Sequence, residues 1–332
     1  MIDVSKLKYK VILITETGKQ LDVTQTTKEL GWEEGDGELA MRIGITLHNT
    51  KHGGSQLSGL AKPGCFVAIV ADWKSGSEEV ARGRIEEWEP GYIGSSATTF
   101  EILAYDELLN LQQSQDNRYY SAGTGTKSAI AGIFTDWGIP MEKYEGPDVA
   151  HAKTPFKNEC LSDIIMHLLD DAAKKGAAKC FIRATKGKVS VLPRGSNQTV
   201  YHFDEDTNLT LAKDKISTVD LVTRVKVVGK EDKEGRQAVE AVLDGLTEHG
   251  IRQKIQVRSE DDSLATAKSA AQELLDEEGK PTRAIVVESP DVPVIRKGDK
   301  IHVKAGTLNG YFFVKAIRHD ATSRSMTMDL EL

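Results

Sequence analysis

Short runs of alternating apolar and polar residues, broken by glycine and turn-forming pairs, dominate the first hundred residues. KYKVILI, Lys8–Ile14, reads as a strand followed by the turn TETGK, in which Gly18 supplies the flexible position. A polar, glycine-rich passage, GWEEGDGE, precedes a second strand pattern, Leu39–Leu47. Pro63-Gly64 makes a turn before the apolar run Phe66–Ala71. GSEEVARGRIEEWEP continues as a hairpin with Val80, Ile85 and Trp88 as expected core residues, and TTFEILAYD closes the region. Six or seven short strands with no amphipathic helix between them predict a small antiparallel barrel or sandwich over residues 1–108. The same absence argues against a doubly wound α/β fold.

The period changes in residues 109–198. Ile130, Ile133, Phe134 and Trp137 fall at helical spacing, and Gly138 and Pro140 end that helix. In NECLSDIIMHLLDDAAKKG the stripe Leu161, Ile164, Ile165, Leu168 and Leu169 lines one face. Lys174 and Lys175 sit at its C-terminal end, where positive charge is favourable, and Gly176 stops it. AKCFIRAT and KVSVLP then form a hairpin around Lys186-Gly187. The expectation is a small α+β module whose apolar stripes are packing surfaces, not a cofactor site.

Strand patterns return in residues 199–332. Val225 and Val227 alternate with Arg224 and Lys226, and IRQKIQV alternates cleanly, whereas RQAVEAVL suits helix or strand by pattern alone. Leu264–Glu278 is a helix with Leu264, Ala267, Ala271, Leu274 and Leu275 on one side; Gly279 and Pro281 end it. In the last stretch Met326, Met328, Leu330 and Leu332 point one way, and Thr327, Asp329 and Glu331 the other. KPGCFVAIV, GRIEEWE and TTFEILAY are echoed in order by RKGDKIHV, GYFFVKAIRH and SMTMDLEL, with Gly64 matching Gly298 and Phe100 matching Met328. The expected architecture is α+β, mainly β: two similar small antiparallel β-barrels with intervening and inserted α/β modules. The second barrel, 199–332, is expected to carry an inserted helix-containing module at about 230–290.

Composition narrows the function classes. Hydrophobic content of 39% with 28% charged residues suits a folded chain. The net charge is -7, and residues 1–110 hold 17 acidic against 11 basic side chains, which argues against specific nucleic-acid binding. Cys65, Cys160 and Cys180 are too few and too far apart for a disulfide framework and read as small buried hydrophobes. No run of 18 apolar residues is present, so no membrane span is expected, and the N-terminus lacks the apolar run of a signal peptide.

Motifs that could carry chemistry fail at defining positions. Tyr119–Ala129, YYSAGTGTKSA, echoes a phosphate-binding loop, but Thr126 stands where glycine must precede Lys127. Asp204–Asn208 opens like a calcium loop, but Leu209 and Lys215 stand where glycine and glutamate are needed. The histidines form no compact ligand motif, no serine sits in a GxSxG elbow, and Glu86, Glu87 and Glu89 read as a solvated strand face. No catalytic, cofactor or metal residue is assigned.

The C-terminal third carries Asp244-Gly245-Leu246-Thr247-Glu248-His249-Gly250, the alanine-rich helix Thr266–Leu275, Arg296-Lys297-Gly298-Asp299, Gly310-Tyr311-Phe312-Phe313-Val314, His319 and SMTMDLEL. In order and spacing these motifs resemble the central hub proteins of contractile bacteriophage tails and defective prophages, the late control protein D group. The family usually has proline where Lys297 stands and often tyrosine where His249 stands. The resemblance implies a strand for RQAVEAVL, two similar barrels, and a homotrimeric ring adapting the sixfold tail tube to a threefold central spike. Tail tube protein, spike protein and other baseplate subunits are the implied partners, and the tail baseplate of a particle made in the host cytoplasm is the implied location. Gly64, Gly298, Asp299, Gly310, Tyr311, His319, Leu330 and Leu332 are the structural and assembly candidates. A tail-tip cell-wall hydrolase and a component of a related secretion or bacteriocin particle are the competing readings.

Overall fold

Thirteen strands join in one mixed sheet, and their order shows how the two ends of the chain meet. A computed structural model describes residues 4–73, 76–93, 96–259 and 262–332. Numbering only the strands of this sheet, β1 is Lys8–Ile14, β2 Gln20–Asp22, β3 Thr27–Glu34, β4 Arg42–His48, β5 Phe66–Trp73, β6 Gly76–Ile93 and β7 Ser96–Tyr105. After the middle of the chain come β8 His202–Asp204, β9 Leu211–Ser217, β10 Thr282–Pro290, β11 Lys300–Ala305, β12 Leu308–Asp320 and β13 Ser325–Glu331. The hydrogen-bonded order is β9-β10-β13-β12-β3-β4-β7-β6-β5-β1-β2, with β11 also on β12 and β8 on β11.

This order overturns the expectation of two closed barrels: among the described residues none of the sheets closes. The cause lies in β12. Its first half, Leu308–Phe313, pairs with β11, and its second half, Phe313–Asp320, pairs with β13. Past Phe313 the edge that β11 leaves free is taken by β3, with Ile317 opposite Glu34 and Asp320 opposite Gly31. A strand from the N-terminal set thus occupies the edge that a separate C-terminal barrel would need for its own closure. Turn signals and period-2 alternation read the same in an open sheet and a barrel, because closure depends on pairing between strands distant in sequence.

Inward-facing residues of this sheet build a continuous core including Val11, Leu13, Trp32, Ile43, Leu47, Ile69, Ile85, Phe100 and Ile102. Val80 and Ile85 are buried as expected, with register shifts in the pairing of β6 bringing these odd-spaced positions to one face, but Trp88 remains 37% exposed. β5 covers β6 only as far as Arg84, so the rest of β6 is flanked by β7 alone.

The middle of the chain contributes α1, Thr126–Asp136, and α2, Leu161–Lys174, as the apolar spacing predicts. Ile130, Ile133 and Phe134 join Ile164, Ile165 and Leu168 in one core with Val189 and Val191. The hairpin Cys180–Thr185 with Lys188–Pro193 turns at Lys186 and Gly187, both at positive φ (52° and 80°), the geometry that matches strand twist.

Two compact units emerge: Met1–Ala212 with Val286–Leu332, and Lys213–Ile285. In the second, Arg224–Glu231 lies between antiparallel Gln237–Asp244 and parallel Gln253–Val257. Residues 237–244 form a strand, as the resemblance implied. α3, Leu264–Glu278, begins where Ser263 Oγ accepts the Thr266 N–H at 3.0 Å. Its small residues Ala267 and Ala271 pack with Leu275 against Val225 and Val227.

β13 sits between β10 and β12, and Met326, Met328 and Leu330 on it are buried. Full burial of such a side chain stabilises by about 1.5–3 kcal/mol, and whole domains are stable by only about 5–15 kcal/mol. Removal of residues 325–332 is expected to yield aggregated or unfolded protein, measured by size-exclusion chromatography and circular dichroism. A monodisperse truncated chain with an unchanged melting curve would contradict this packing role.

Candidate assembly surface

The segment 291–299, between β10 and β11, carries charged side chains into the interior. Asp291 and His319 are both 0% exposed. The Asp291 carboxylate accepts the Tyr9 hydroxyl on one oxygen and faces His319 Nδ1 at 2.7 Å on the other. His319 Nε2 lies 3.0 Å from the Ile295 carbonyl, so both ring nitrogens face oxygen atoms of the chain. Trp32 stacks on the imidazole at 4.7 Å and 17°, and Tyr9 meets Trp32 edge-on at 5.6 Å. Burial, followed by the Asp291 charge, pushes the Tyr9 hydroxyl pKa up, so it stays a donor. Residues of β1, β3, β12 and the segment itself thus meet in one polar cluster.

A second cluster lies five residues on. Arg296 donates from Nε and Nη2 to the two Glu34 carboxylate oxygens, both at 2.8 Å, and from Nη1 to the Ala184 carbonyl at 3.1 Å. Burial alone would raise the Glu34 pKa, but Arg296, with Arg183 and the Lys297 N–H, outweighs it and holds the carboxyl below its usual range. Asp299 accepts Arg183 Nη2 at 2.7 Å and the Arg296 N–H at 2.9 Å. Lys297, where the hub family usually has proline, reaches the carbonyls of Gly35 and Glu38, each at 2.6 Å.

The sequence candidates separate by environment. Asp299 and His319 are internal members of these clusters. Gly298 has φ +88°, and an added Cβ would sit 2.5 Å from the Phe181 ring, so the turn between the two charged residues requires glycine. Gly64, in the turn before β5, and Gly310, on β12, also have positive φ. Leu330 is buried, but Leu332 lies one residue past β13 and is 67% exposed, so the apolar alternation ends before it. Tyr311 is 59% exposed on β12, opposite His302.

On the solvent face of the same sheet, β3, β4, β7 and β12 line a groove of about 630 Å³. Gly31 and Gly44 are register partners on its floor. Glu29, Thr46 and Glu101 line one side, and Glu33, Arg42 and Arg318 the other, with Arg42 3.3 Å from Glu33. Charged, open and shallow, this surface suits contact with another macromolecule better than enclosure of a small ligand.

Sequence reading missed a hydroxyl–imidazole–carboxylate relay in the middle of the chain. Thr126 Oγ1 lies 2.8 Å from His151 Nε2, and His151 Nδ1 lies 2.6 Å from Asp171. Lys175 also holds Asp171 at 2.6 Å and is first among the influences that lower the carboxyl pKa. The order is that of a nucleophilic triad, but Thr126 has no exposed surface and its hydroxyl also contacts the Val149 backbone. The relay therefore clamps residues 149–151 to α1 and α2. At the start of α1, Asp148 accepts the Lys127 N–H at 3.2 Å, so a carboxylate of the chain already occupies the end of the glycine-rich stretch. All three cysteines are free; Cys65 is buried, as expected, whereas Cys160 and Cys180 are half-buried. Among the described residues no group of three or more His, Cys, Asp or Glu side chains is placed to hold a metal ion. No helix among them is long and apolar enough to cross a membrane.

Asp106 is buried near Arg296, and burial pushes its carboxyl up to about 7, against backbone hydrogen bonds and the Arg296 charge. Its folded pKa lies above the ordinary 3.8, so its contribution is fully present below about pH 4 and is lost as pH rises through about 7. At about 1.4 kcal/mol per pH unit the loss is on the order of 4 kcal/mol. Glu34 has the opposite sign: its contribution is present above its ordinary pKa of 4.5 and is lost on acidification below it. Asp106→Asn is expected to match the parent near pH 4.5 and to be more stable at pH 8, measured by urea denaturation at both values. Equal pH dependence in the two proteins would contradict the burial of a titrating carboxyl.

Residues 74–332 match the YQBQ-like family. A comparison with curated proteins finds no match. Among solved structures, the 43 kDa tail protein of prophage MuSo2 from Shewanella oneidensis is similar with a TM-score of 0.68 and 14% identity, over 98% of this chain and 98% of that one. The tail protein from Neisseria meningitidis MC58 is similar with a TM-score of 0.66 and 14% identity, over 98% and 96%. Prophage tail protein gp18 from Listeria monocytogenes EGD-e gives 0.55 and 14%, over 97% and 94%. The match spans most of the sequence and the likeness nearly all of the fold: the chain belongs to the YQBQ-like family and shares its fold with tail proteins, two of them from prophages.

Proposed function

We propose that this chain is a structural hub subunit of a phage or phage-like tail baseplate, three copies of which form a ring between a sixfold tail tube and a threefold central spike. The observation that carries the reading is the open sheet in which β3 joins the N-terminal strands to the C-terminal ones. Among the described residues such a sheet ends at β2, β8 and β9, and sheet edges invite neighbours. Closed symmetry limits growth through such contacts to a ring. The fold shared with tail proteins over nearly the whole chain supports the same reading. The task is binding: the charged interior groups named above are engaged in ties within the chain, and the exposed groove suits a macromolecular surface. The subunit is made in the host cytoplasm and works in the assembled particle.

Electron microscopy of the particle from the source genome, with this subunit labelled, is expected to show three copies at the tube–spike junction. Labels along the tube, on peripheral fibres, or on no particle would refute the assignment. Purified protein is expected to release no soluble fragments from peptidoglycan. Release abolished by a single carboxylate-to-amide substitution would place the chain among tail-tip hydrolases instead.

A further inference from the structure

The histidines of this chain fall into contrasting environments. His151 and His319 have both ring nitrogens engaged inside the fold. His202 and His302 are different. They are direct register partners on the parallel strands β8 and β11, on the face opposite the buried Phe203 and Val303. Their ring centroids are 4.9 Å apart with planes inclined by 31°. His202 is exposed and His302 half-buried, and among the described residues no hydrogen bond engages a nitrogen of either ring.

We propose that His202 and His302 form a cross-strand chelate for a borderline transition ion, Ni(II), Cu(II) or Zn(II), with its remaining coordination positions open to water. Neutral imidazole is a preferred ligand for these ions. Adjacent strands stand roughly 4.8 Å apart, and metal–nitrogen bonds are about 2.0–2.1 Å, so a small side-chain rotation brings one nitrogen from each ring to a common ion. The backbone ladder fixes the two Cα positions before the ion arrives, which lowers the ordering cost of chelation.

The neighbours define the limits of the site. Asp204, two residues along on the same face, is engaged by Lys304 at 3.3 Å and by the Asp206 N–H at 2.9 Å, so it balances charge without being free to ligate. On the other flank Tyr311 meets His302 edge-on at 5.1 Å, and Lys300 Nζ stands 5.5 Å from the Tyr311 ring. A two-imidazole set beside two lysines predicts reversible binding.

The test is calorimetric titration of Ni(II) into the full, untagged chain near pH 7.5. One ion per chain is expected, reversed by a chelator. His202→Ala and His302→Ala are each expected to weaken binding about tenfold or more, the scale on which a disturbed ligand environment lowers metal affinity. His48→Ala and Tyr311→Phe should leave it unchanged. Because substitution of the half-buried His302 could disturb the sheet, Cu(II) is also added to the unaltered protein. The imidazole NMR signals of His202 and His302 should broaden together before those of His48 and His52. Absence of saturable binding, retention of full affinity in the H202A/H302A double variant, or broadening centred on other histidines would overturn the proposal.

Discussion

Charge burial in the segment 291–299 is the constraint on which the larger unit depends. Asp291, Arg296 and Asp299 lie inside the protein, and each would be costly without a partner. Their partners come from distant parts of the chain: Tyr9 and His319 for Asp291, Glu34 for Arg296, Arg183 for Asp299. Replacing a buried pair with apolar residues can be neutral, but removing one member costs about 3–5 kcal/mol because it strands the other. The N-terminal strands, the middle hairpin and the C-terminal strands are therefore coupled. None can move away without leaving an uncompensated charge in the core.

That coupling explains why the sheet is open and shared. β3 presents Trp32 and Glu34 inward, one to each polar cluster, while its backbone pairs with β12. Once these side chains are engaged, the edge of β12 beyond β11 belongs to β3. The solvent face of the joined strands then becomes one groove, with Gly31 beside Gly44 on its floor. Assembly surface and buried ties are the two sides of the same strands.

Much of the local structure was legible in the sequence. Both longer apolar stripes became helices at the expected positions, the Lys186-Gly187 turn closes its hairpin, and the terminal alternation buries Met326, Met328 and Leu330. These features depend on short-range periodicity and turn chemistry. Barrel closure was misread because strand–strand pairing over nearly the full chain length leaves no local signal. Trp88 was misread because an apolar residue in a strand carries no signal of how far the covering strand extends. The Thr126–His151–Asp171 relay was invisible because its members are distant in sequence and meet only through the packing of α1 and α2. Asp299 and His319 stood out as family motif residues, and the structure places both among the buried ties.

The central claim is that N-terminal and C-terminal strands form one cooperative body. Native-state hydrogen exchange across a urea series, resolved by segment, measures this most directly. The account predicts that amides in β3, β4, β12 and β13 exchange through one shared opening, with the same free energy and the same denaturant dependence. Exchange of β11–β13 through a separate, lower-energy opening while β1–β7 stay protected would contradict it.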